Sequence, residues 1–172
     1  GRITKSFEDV RKAIREADKQ MGVVISGDHK VVWERSGAFN QNNLGDLSLI
    51  KSGKGVSNLA ACVAMELSQV SDKSIEPETL TAAKLTPFEM MEEYIDHPLN
   101  LKGCTLDQVI YFVSNNKPVI AMTYDNKGVV IAGYTLKGLT IYDPDVGKRT
   151  VSRSSFEDFF KKNGNRFMSY ME

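Results

Sequence analysis

The 172-residue chain has little cysteine, little histidine, one tryptophan and no excess of charge of either sign. Its two cysteines, Cys62 and Cys104, are too few for the disulfide framework that stabilises small secreted domains. With 22 basic and 22 acidic residues the formal net charge is zero, so no global field attracts nucleic acid or an anionic membrane. No uncharged apolar run comes near the roughly 18 residues that span a bilayer. We therefore expect neither a nucleic-acid partner nor a membrane-spanning segment.

Cofactor and metal motifs are also missing. The sequence has neither a glycine-rich phosphate loop nor a Cys/His cluster with zinc spacing, so no cofactor and no metal are expected. His29 lies in a predicted hairpin turn, and His97 lies at a predicted helix end, where a cationic side chain interacts favourably with the last carbonyls. The chain starts at Gly1 without Met and shows no signal peptide, which we interpret as a domain taken from a larger protein.

The composition, 41% hydrophobic and 26% charged, suits one compact domain with a continuous core. The first part predicts an amphipathic helix over residues 7–20, with a capping box at residues 6–9, and a β-hairpin over residues 23–33. Residues 36–56 are rich in Ser, Gly and Asn and predict a long loop. Long loops in compact domains are often functional.

In the rest of the chain, helices come first and strands follow. Ser57 is a predicted N-cap, and capping boxes begin at Thr86 and Thr105. The spacing of the apolar residues then changes from helical to strand-like. This predicts strands over 117–124, 128–134, 139–142, 148–152 and 167–171, with a short helix over 154–162. Helices followed by an antiparallel meander indicate an α+β fold. Four apolar residues of these elements are expected in the core: Leu67, Val109, Phe112 and Val130.

Cys62 has two interpretations from local sequence. It lies on the apolar face of the helix that Ser57 begins, where most free cysteines are small buried hydrophobes. It also lies near the start of a central helix, where the helix dipole favours a nucleophilic thiolate.

A family resemblance bears on this choice. The sequence Ala-Ala-Cys-Val-Ala-Met-Glu-Leu of residues 60–67 resembles the cysteine-bearing helix of papain-like peptidases, especially the bacterial branch similar to bacteriocin-processing, C39-like peptidases. Residues 117–121, 128–134 and 141–144 resemble the succession P-V-I … H-x-V-V-V-x-G-Y … D-P of that branch. The resemblance covers roughly residues 55–152. It implies a papain-like fold with the cysteine helix packed on an antiparallel sheet, residues 51–172 forming that domain and residues 1–50 a helix-and-hairpin extension.

The resemblance also assigns roles. In this family a cysteine thiolate attacks a carbonyl, a histidine carries the proton, a carboxylate or amide orients the histidine, and a glutamine side chain helps to bind the oxyanion. Cys62 then takes the nucleophile position and Asp143 the orienting position. Lys127 stands where histidine belongs, six residues before Gly133. Val56 stands where glutamine belongs, six residues before Cys62, and Asn58 is a substitute donor two residues closer.

These departures argue against hydrolysis. A lysine has a reference pKa of about 10.4, against about 6.5 for histidine, so Lys127 is protonated at neutral pH and cannot act as the base. The side chain of Val56 donates no hydrogen bond.

Three hypotheses follow for the function. The first is a degenerate peptidase-like module of a larger bacterial protein, secreted or at the surface of a Gram-positive-like cell, that binds a peptide or protein segment. The second is an active cysteine peptidase in which His97 supplies the base. The third is a structural domain in which both cysteines belong to the core.

Overall fold

A computed structural model of the chain describes residues 2–35, 42–70 and 75–171. The helices of these ranges are α1 (Val10–Lys19), α2 (Asn58–Ser68), α3 (Pro77–Ala83), α4 (Pro87–Glu92), α5 (Leu106–Ser114) and α6 (Arg153–Lys162). The strands are β1 (Val23–Ile25), β2 (Val31–Glu34), β3 (Asn42–Asn43), β4 (Pro98–Asn100), β5 (Val119–Met122), β6 (Gly128–Tyr134), β7 (Gly138–Asp143), β8 (Gly147–Ser152) and β9 (Arg166–Tyr170).

The main sheet has the order β4-β9-β5-β6-β7-β8, with β3 added against the end of β6, and every pairing is antiparallel. All residues of β5 and β6 are buried, so both faces of these central strands are covered. Helices α2 and α5 each contact both strands. The predicted α+β fold, with the cysteine-bearing helix on an antiparallel sheet, is confirmed.

The helix starts follow local capping chemistry. Both predicted capping boxes are present, at Thr86 before α4 and at Thr105 before α5, and the Ser57 hydroxyl accepts a hydrogen bond from Ala60 N in α2. The first helix departs from expectation, because its N-cap is Asp9. The Asp9 carboxylate accepts from the Arg11 N–H and pairs with the Arg11 guanidinium, which lowers the pKa of Asp9 to about 2.

The N-terminal helix and hairpin dock on α5 through one aromatic anchor. Trp33 is buried, its indole N–H donates to Gln108 O at 2.8 Å, and its ring lies 6.1 Å from the Tyr111 ring. The side chain of Gln108 in turn donates to Asp18 Oδ2 at 3.0 Å. This polar chain fixes the start of α5 against both elements of the N-terminal segment.

Two short strands were missing from the sequence prediction. Strand β4 lies at the sheet edge on β9, and β3 lies within the segment predicted as a loop over residues 36–56. The described part of that segment also buries Leu44 and Leu47, while residues 36–41 lie outside the described residues. Within the described ranges, every helix is too short or too polar to cross a membrane.

The four apolar residues expected in the core, Leu67, Val109, Phe112 and Val130, are each at most 1% exposed, which confirms that prediction. Phe112 is also packed edge to face against Tyr111, with ring centroids 5.5 Å apart.

We predict that Phe112→Ala lowers the free energy of unfolding by about 3–5 kcal/mol, because it leaves a cavity among the side chains of the core. Phe159→Ala is the matched control, since that ring is 51% exposed, and we expect it to change stability by less than about 1 kcal/mol. Denaturant unfolding of both variants measures the difference. Similar losses for the two would contradict the placement of Phe112.

Helix α2 carries a carboxyl group into the core. Glu66 is fully buried, and Ser169 Oγ donates to its Oε1 at 3.4 Å. Its Oε2 has no partner among the described residues. Burial raises the pKa of Glu66 well above its ordinary value, so the folded protein holds this side chain in the protonated form.

This burial predicts a pH-dependent stability. Because the pKa is higher in the folded than in the unfolded chain, the protein loses stability as the pH rises above the unfolded pKa, about 4.3, towards the raised folded value. Glu66→Gln keeps the shape and removes this titration. We expect the stability of the variant relative to the parent to increase from about pH 5 to about pH 8 in denaturant melts. The exposed Glu92→Gln is the control, and a Glu66→Gln difference that stays flat with pH would contradict the prediction.

Candidate functional site

Helix α2 begins at the floor of an open cleft of about 490 Å³. The cleft is lined by residues of the segment before α2, of its first turn, and of the turns that flank β6 and β7: Ser52, Gly53, Val56, Ser57, Asn58, Leu59, Asn126, Lys127 and Asp145. Polar side chains from three parts of the chain therefore meet at the N-terminus of one helix.

Asn58 joins the helix to the sheet. Its side chain is nearly buried, and its Oδ1 accepts a hydrogen bond from the Gly128 N–H at 2.6 Å. Gly128 permits this close approach, because a Cβ there would lie 2.9 Å from Leu59 Cδ2 and 3.3 Å from Cys62 Sγ. The first turn of α2 thus sits directly on the first residue of β6, and this contact brings Lys127 to the cleft.

Cys62 lies one turn deeper in α2, below the floor of the cleft. It is 0% exposed, and its sulfur faces the Gly128 backbone. Burial raises the pKa of the Cys62 thiol well above its ordinary value, and the negative charges of Asp143 and Asp145 raise it further. The geometry thus agrees with a small buried hydrophobe, and the residue singled out as a nucleophile is a neutral thiol outside the cleft.

Lys127 lies at the rim and is engaged by a carboxylate. Its Nζ lies 3.1 Å from Asp145 Oδ2, and Ser52 Oγ donates to the other oxygen of the same carboxylate. Hydrogen bonds from Ser52, and then from Lys127 and Asn58, lower the pKa of Asp145. Ser52 and Asp145 were not singled out from the sequence, although Asp145 directly follows residues 141–144, which carry the resemblance.

Asp143, the predicted orienting residue, is hydrogen-bonded to its own turn and to Arg149, whereas Lys127 pairs with Asp145. The Oδ1 atom of Asp143 accepts from the backbone N–H groups of Asp145 and Val146, at 2.9 and 3.3 Å, and its Oδ2 pairs with Arg149 at 3.3 Å. The Asp143 side chain therefore shapes the turn between β7 and β8. Through that turn it positions Asp145 beside Lys127.

The two predicted oxyanion positions, Val56 and Asn58, both line the cleft but differ in their hydrogen-bonding groups. Val56 lines the cleft, but its backbone N–H donates to Gly53 O at 3.2 Å and its carbonyl accepts from Gly53 N. Asn58 lies within the cleft, with its carbonyl oxygen already bonded to Gly128. Its amide group donates to Asp145, and this hydrogen bond contributes to the lowered pKa of that carboxylate.

His97 lies far from the cleft. It directly precedes β4, its carbonyl accepts from Met171 N, and β4 is separated from β6 by β9 and β5. Three strand spacings amount to roughly 14 Å. The register pairs Pro98 with Tyr170 at one end of β9 and so places His97 opposite Met171. Gly128 pairs with Met122, which pairs with Arg166 at the other end of β9.

A second cavity of about 360 Å³ adjoins the first at the Lys127–Asp145 ion pair. It shares three residues with the first cleft: Asn58, Lys127 and Asp145. Its other walls come mainly from β6, β8 and α6 and are largely apolar. Among the described residues, no three His, Cys, Asp or Glu side chains are grouped to hold a metal ion.

The fold and the cleft at the start of the central helix define a papain-like cysteine peptidase class. The model of the Peptidase C39 family matches residues 49–164, and the chain belongs to this family. A solved structure of a Bacillus anthracis protein described as a C39-like peptidase aligns over 77% of this chain and 98% of its own, with a TM-score of 0.68. Their sequence identity is 16%, so this likeness concerns the fold alone. A search of curated proteins gives no match.

We predict that neither cysteine reacts with a thiol reagent in the native protein, since Cys62 and Cys104 are both free and fully buried. Both should react once the protein is unfolded in denaturant. Lys54→Cys, an exposed position beside the cleft, provides the positive control and should react at once. Rapid labelling of Cys62 in the native parent would show that the cleft reaches the sulfur.

Proposed function

We propose that this C39 family domain does not hydrolyse peptides and acts as a binding or accessory module. The proposal rests on the identity of the first residue of α2, which is an asparagine. The side chain of Asn58 lines the cleft where α2 contacts Gly128, the first residue of β6. The thiol of Cys62 lies one turn below it and is fully buried.

The spacing of the family pattern supports a shift of the nucleophile position from Cys62 to Asn58. The oxyanion position six residues earlier then moves from Val56 to Ser52. Both Asn58 and Ser52 line the cleft together with Lys127. With this register, Asn58 replaces the nucleophile, Ser52 replaces the oxyanion donor and Lys127 replaces the histidine.

The chemistry of these replacements explains a loss of hydrolysis. An amide such as Asn58 has no thiolate form, and Lys127 is ion-paired with Asp145. Ser52 directs its proton at Asp145, and a carboxylate with a lowered pKa is a poor base for activating a hydroxyl. Absence of the proton carrier removes about 10²–10⁴-fold of rate, and absence of an oxyanion donor removes about 10²–10³-fold.

The hypothesis of an active peptidase with His97 as base has weak geometric support. His97 would have to reach the cleft from the far edge of the sheet, past β9 and β5. Its neighbouring strand β4 is paired with β9 along all three of its residues. Delivery of that imidazole to the cleft would require this edge of the sheet to detach.

Turnover assays on a broad peptide library test the proposal. We expect no cleavage by the parent and an identical result for Cys62→Ala. The triple variant Ser52→Gln, Asn58→Cys, Lys127→His should show measurable cleavage, because it restores the three side-chain types at one cleft. The same triple variant with Cys62→Ala should keep that activity.

The controls separate the two registers. A variant built on the other register, Val56→Gln with Lys127→His, retains Cys62 as the only candidate nucleophile and should remain silent. Cleavage by the parent that disappears in Cys62→Ala would overturn the proposal and return the nucleophile to Cys62.

A further inference from the structure

The outer face of the N-terminal hairpin is apolar and open to solvent. Val23 and Ile25 of β1 lie opposite Glu34 and Val31 of β2, so these four side chains share one face, while Trp33 on the other face is buried. Val23, Ile25 and Val31 are 51%, 43% and 54% exposed. A half-buried antiparallel pair ordinarily presents polar residues to water on its outer side. We call Val23, Ile25, Val31 and Glu34 the hairpin face.

Exposed apolar surface is concentrated in this part of the chain. Ten large hydrophobic residues of the described ranges are exposed, and half of them lie within residues 2–35: Ile3, Met21, Val23, Ile25 and Val31. Such a concentration marks an interaction surface. The hairpin lies before the residues that match the C39 family and supplies no wall of either cavity, so the proposed function does not explain its open face.

The two ends of the hairpin face carry opposite charges. Glu34 lies at the open end, and within the described ranges it forms no ion pair. The next residue, Arg35, is already paired with Asp18. Lys30 lies at the turn end, 3.5 Å from Asp28, and both of these side chains are at least 60% exposed. Because such an exposed pair contributes little to stability, Lys30 can exchange its partner at small cost.

This pattern of apolar and charged groups is complementary to itself. When two hairpin faces stack with their strands antiparallel about a twofold axis, the open end of one face lies over the turn end of the other. Glu34 of each copy then lies beside the turn that carries Lys30 of the partner subunit, and the symmetry makes this contact twice. Apolar side chains meet apolar ones, and the unpaired acid of the face meets a base. A second copy of the same chain therefore satisfies both features of the face.

We propose that the hairpin face is the interface of a homodimer, in which two β1–β2 sheets stack about a twofold axis and Glu34 of each copy pairs with Lys30 of the partner subunit. The assignment goes beyond the proposed function and does not involve the cleft. The face is small beside the about 20–30 residues that each side of a standard interface supplies, so the dimer is weak. We expect a Kd between about 10 µM and about 1 mM.

Sedimentation equilibrium of the full chain over this concentration range tests the proposal. The weight-average mass of the parent should rise from that of the monomer towards twice that value. Ile25→Lys places a charge among the apolar side chains of the face and should raise the Kd about tenfold or more. Leu136→Lys is the matched control, because Leu136 is 59% exposed in the turn between β6 and β7, and its Kd should equal that of the parent.

A charge swap identifies the occupant of the face. Glu34→Lys and Lys30→Glu each place like charges across the twofold axis, and each should raise the Kd about threefold or more. The double variant restores both contacts between opposite charges and should return the Kd to within about twofold of the parent value. This rescue is expected only where the face meets a second copy of itself. Emission of Trp33, the one tryptophan of the chain, reports whether each variant keeps the hairpin docked.

A parent chain that stays monomeric at about 1 mM would overturn the proposal. A Kd that Ile25→Lys leaves unchanged would overturn it as well, and so would a double charge variant that dimerises no better than either single one. The substituted positions lie outside both cavities, so none of these results bears on the loss of hydrolysis.

Discussion

The hydrogen bond from the Gly128 N–H to the Asn58 side chain connects the central helix of this protein to its central strand. It ties together two residues that are 70 positions apart in the chain, at 2.6 Å and away from solvent. The contact leaves no room for a side chain at position 128, where a Cβ would meet Leu59 and Cys62. The location of the cleft, the burial of the thiol and the presence of Lys127 at the rim all follow from this one approach of helix to sheet.

Two ion pairs, Lys127–Asp145 and Arg149–Asp143, also fix the positions of side chains near the cleft. The Asp143 carboxylate accepts a hydrogen bond from the backbone of the turn between β7 and β8 and pairs with Arg149. This turn places Asp145 beside Lys127. Lys127 and Asp145 thus form an ion pair at the rim of the cleft, 3.1 Å from Nζ to Oδ2.

The elements that could be predicted from the sequence are those set by local chemistry. The capping boxes at Thr86 and Thr105 and the strands β5 to β8 depend on residues a few positions apart, and the α+β order of helices and strands followed from them. Strands β3 and β4 depend on partners far away in the chain, since β3 pairs with β6 and β4 with β9. Neither short segment has enough alternation of its own to predict a strand.

The site was harder to predict for a related reason. Nearly every residue of α2 is buried, so its apolar pattern does not mark which side chain of the helix points into the cleft. From the sequence, a cysteine is the expected nucleophile of such a helix, whereas Asn58, one turn earlier, is expected only as a substitute hydrogen-bond donor. The proposed register rests on the helix start at Asn58 and on its contact with Gly128, which the local sequence does not predict. Lys127 keeps its place in both registers, because β6 and the turn before it are fixed by local pattern.

Asn58, Cys62 and Glu66 follow one another at intervals of four and therefore lie along one stripe of α2. The stripe starts at the cleft, passes under Gly128 and ends beside Ser169 on β9. Along it the surroundings change from a polar cleft to the core, and the pKa values of the thiol and the carboxyl group are raised by burial accordingly. Loss of solvent thus disfavours the charged forms of the two deeper groups. In the proposed register residue 58 is the position of α2 that lines the cleft, and the thiol of Cys62, one turn further in, reaches the cleft only if the contact between α2 and β6 opens.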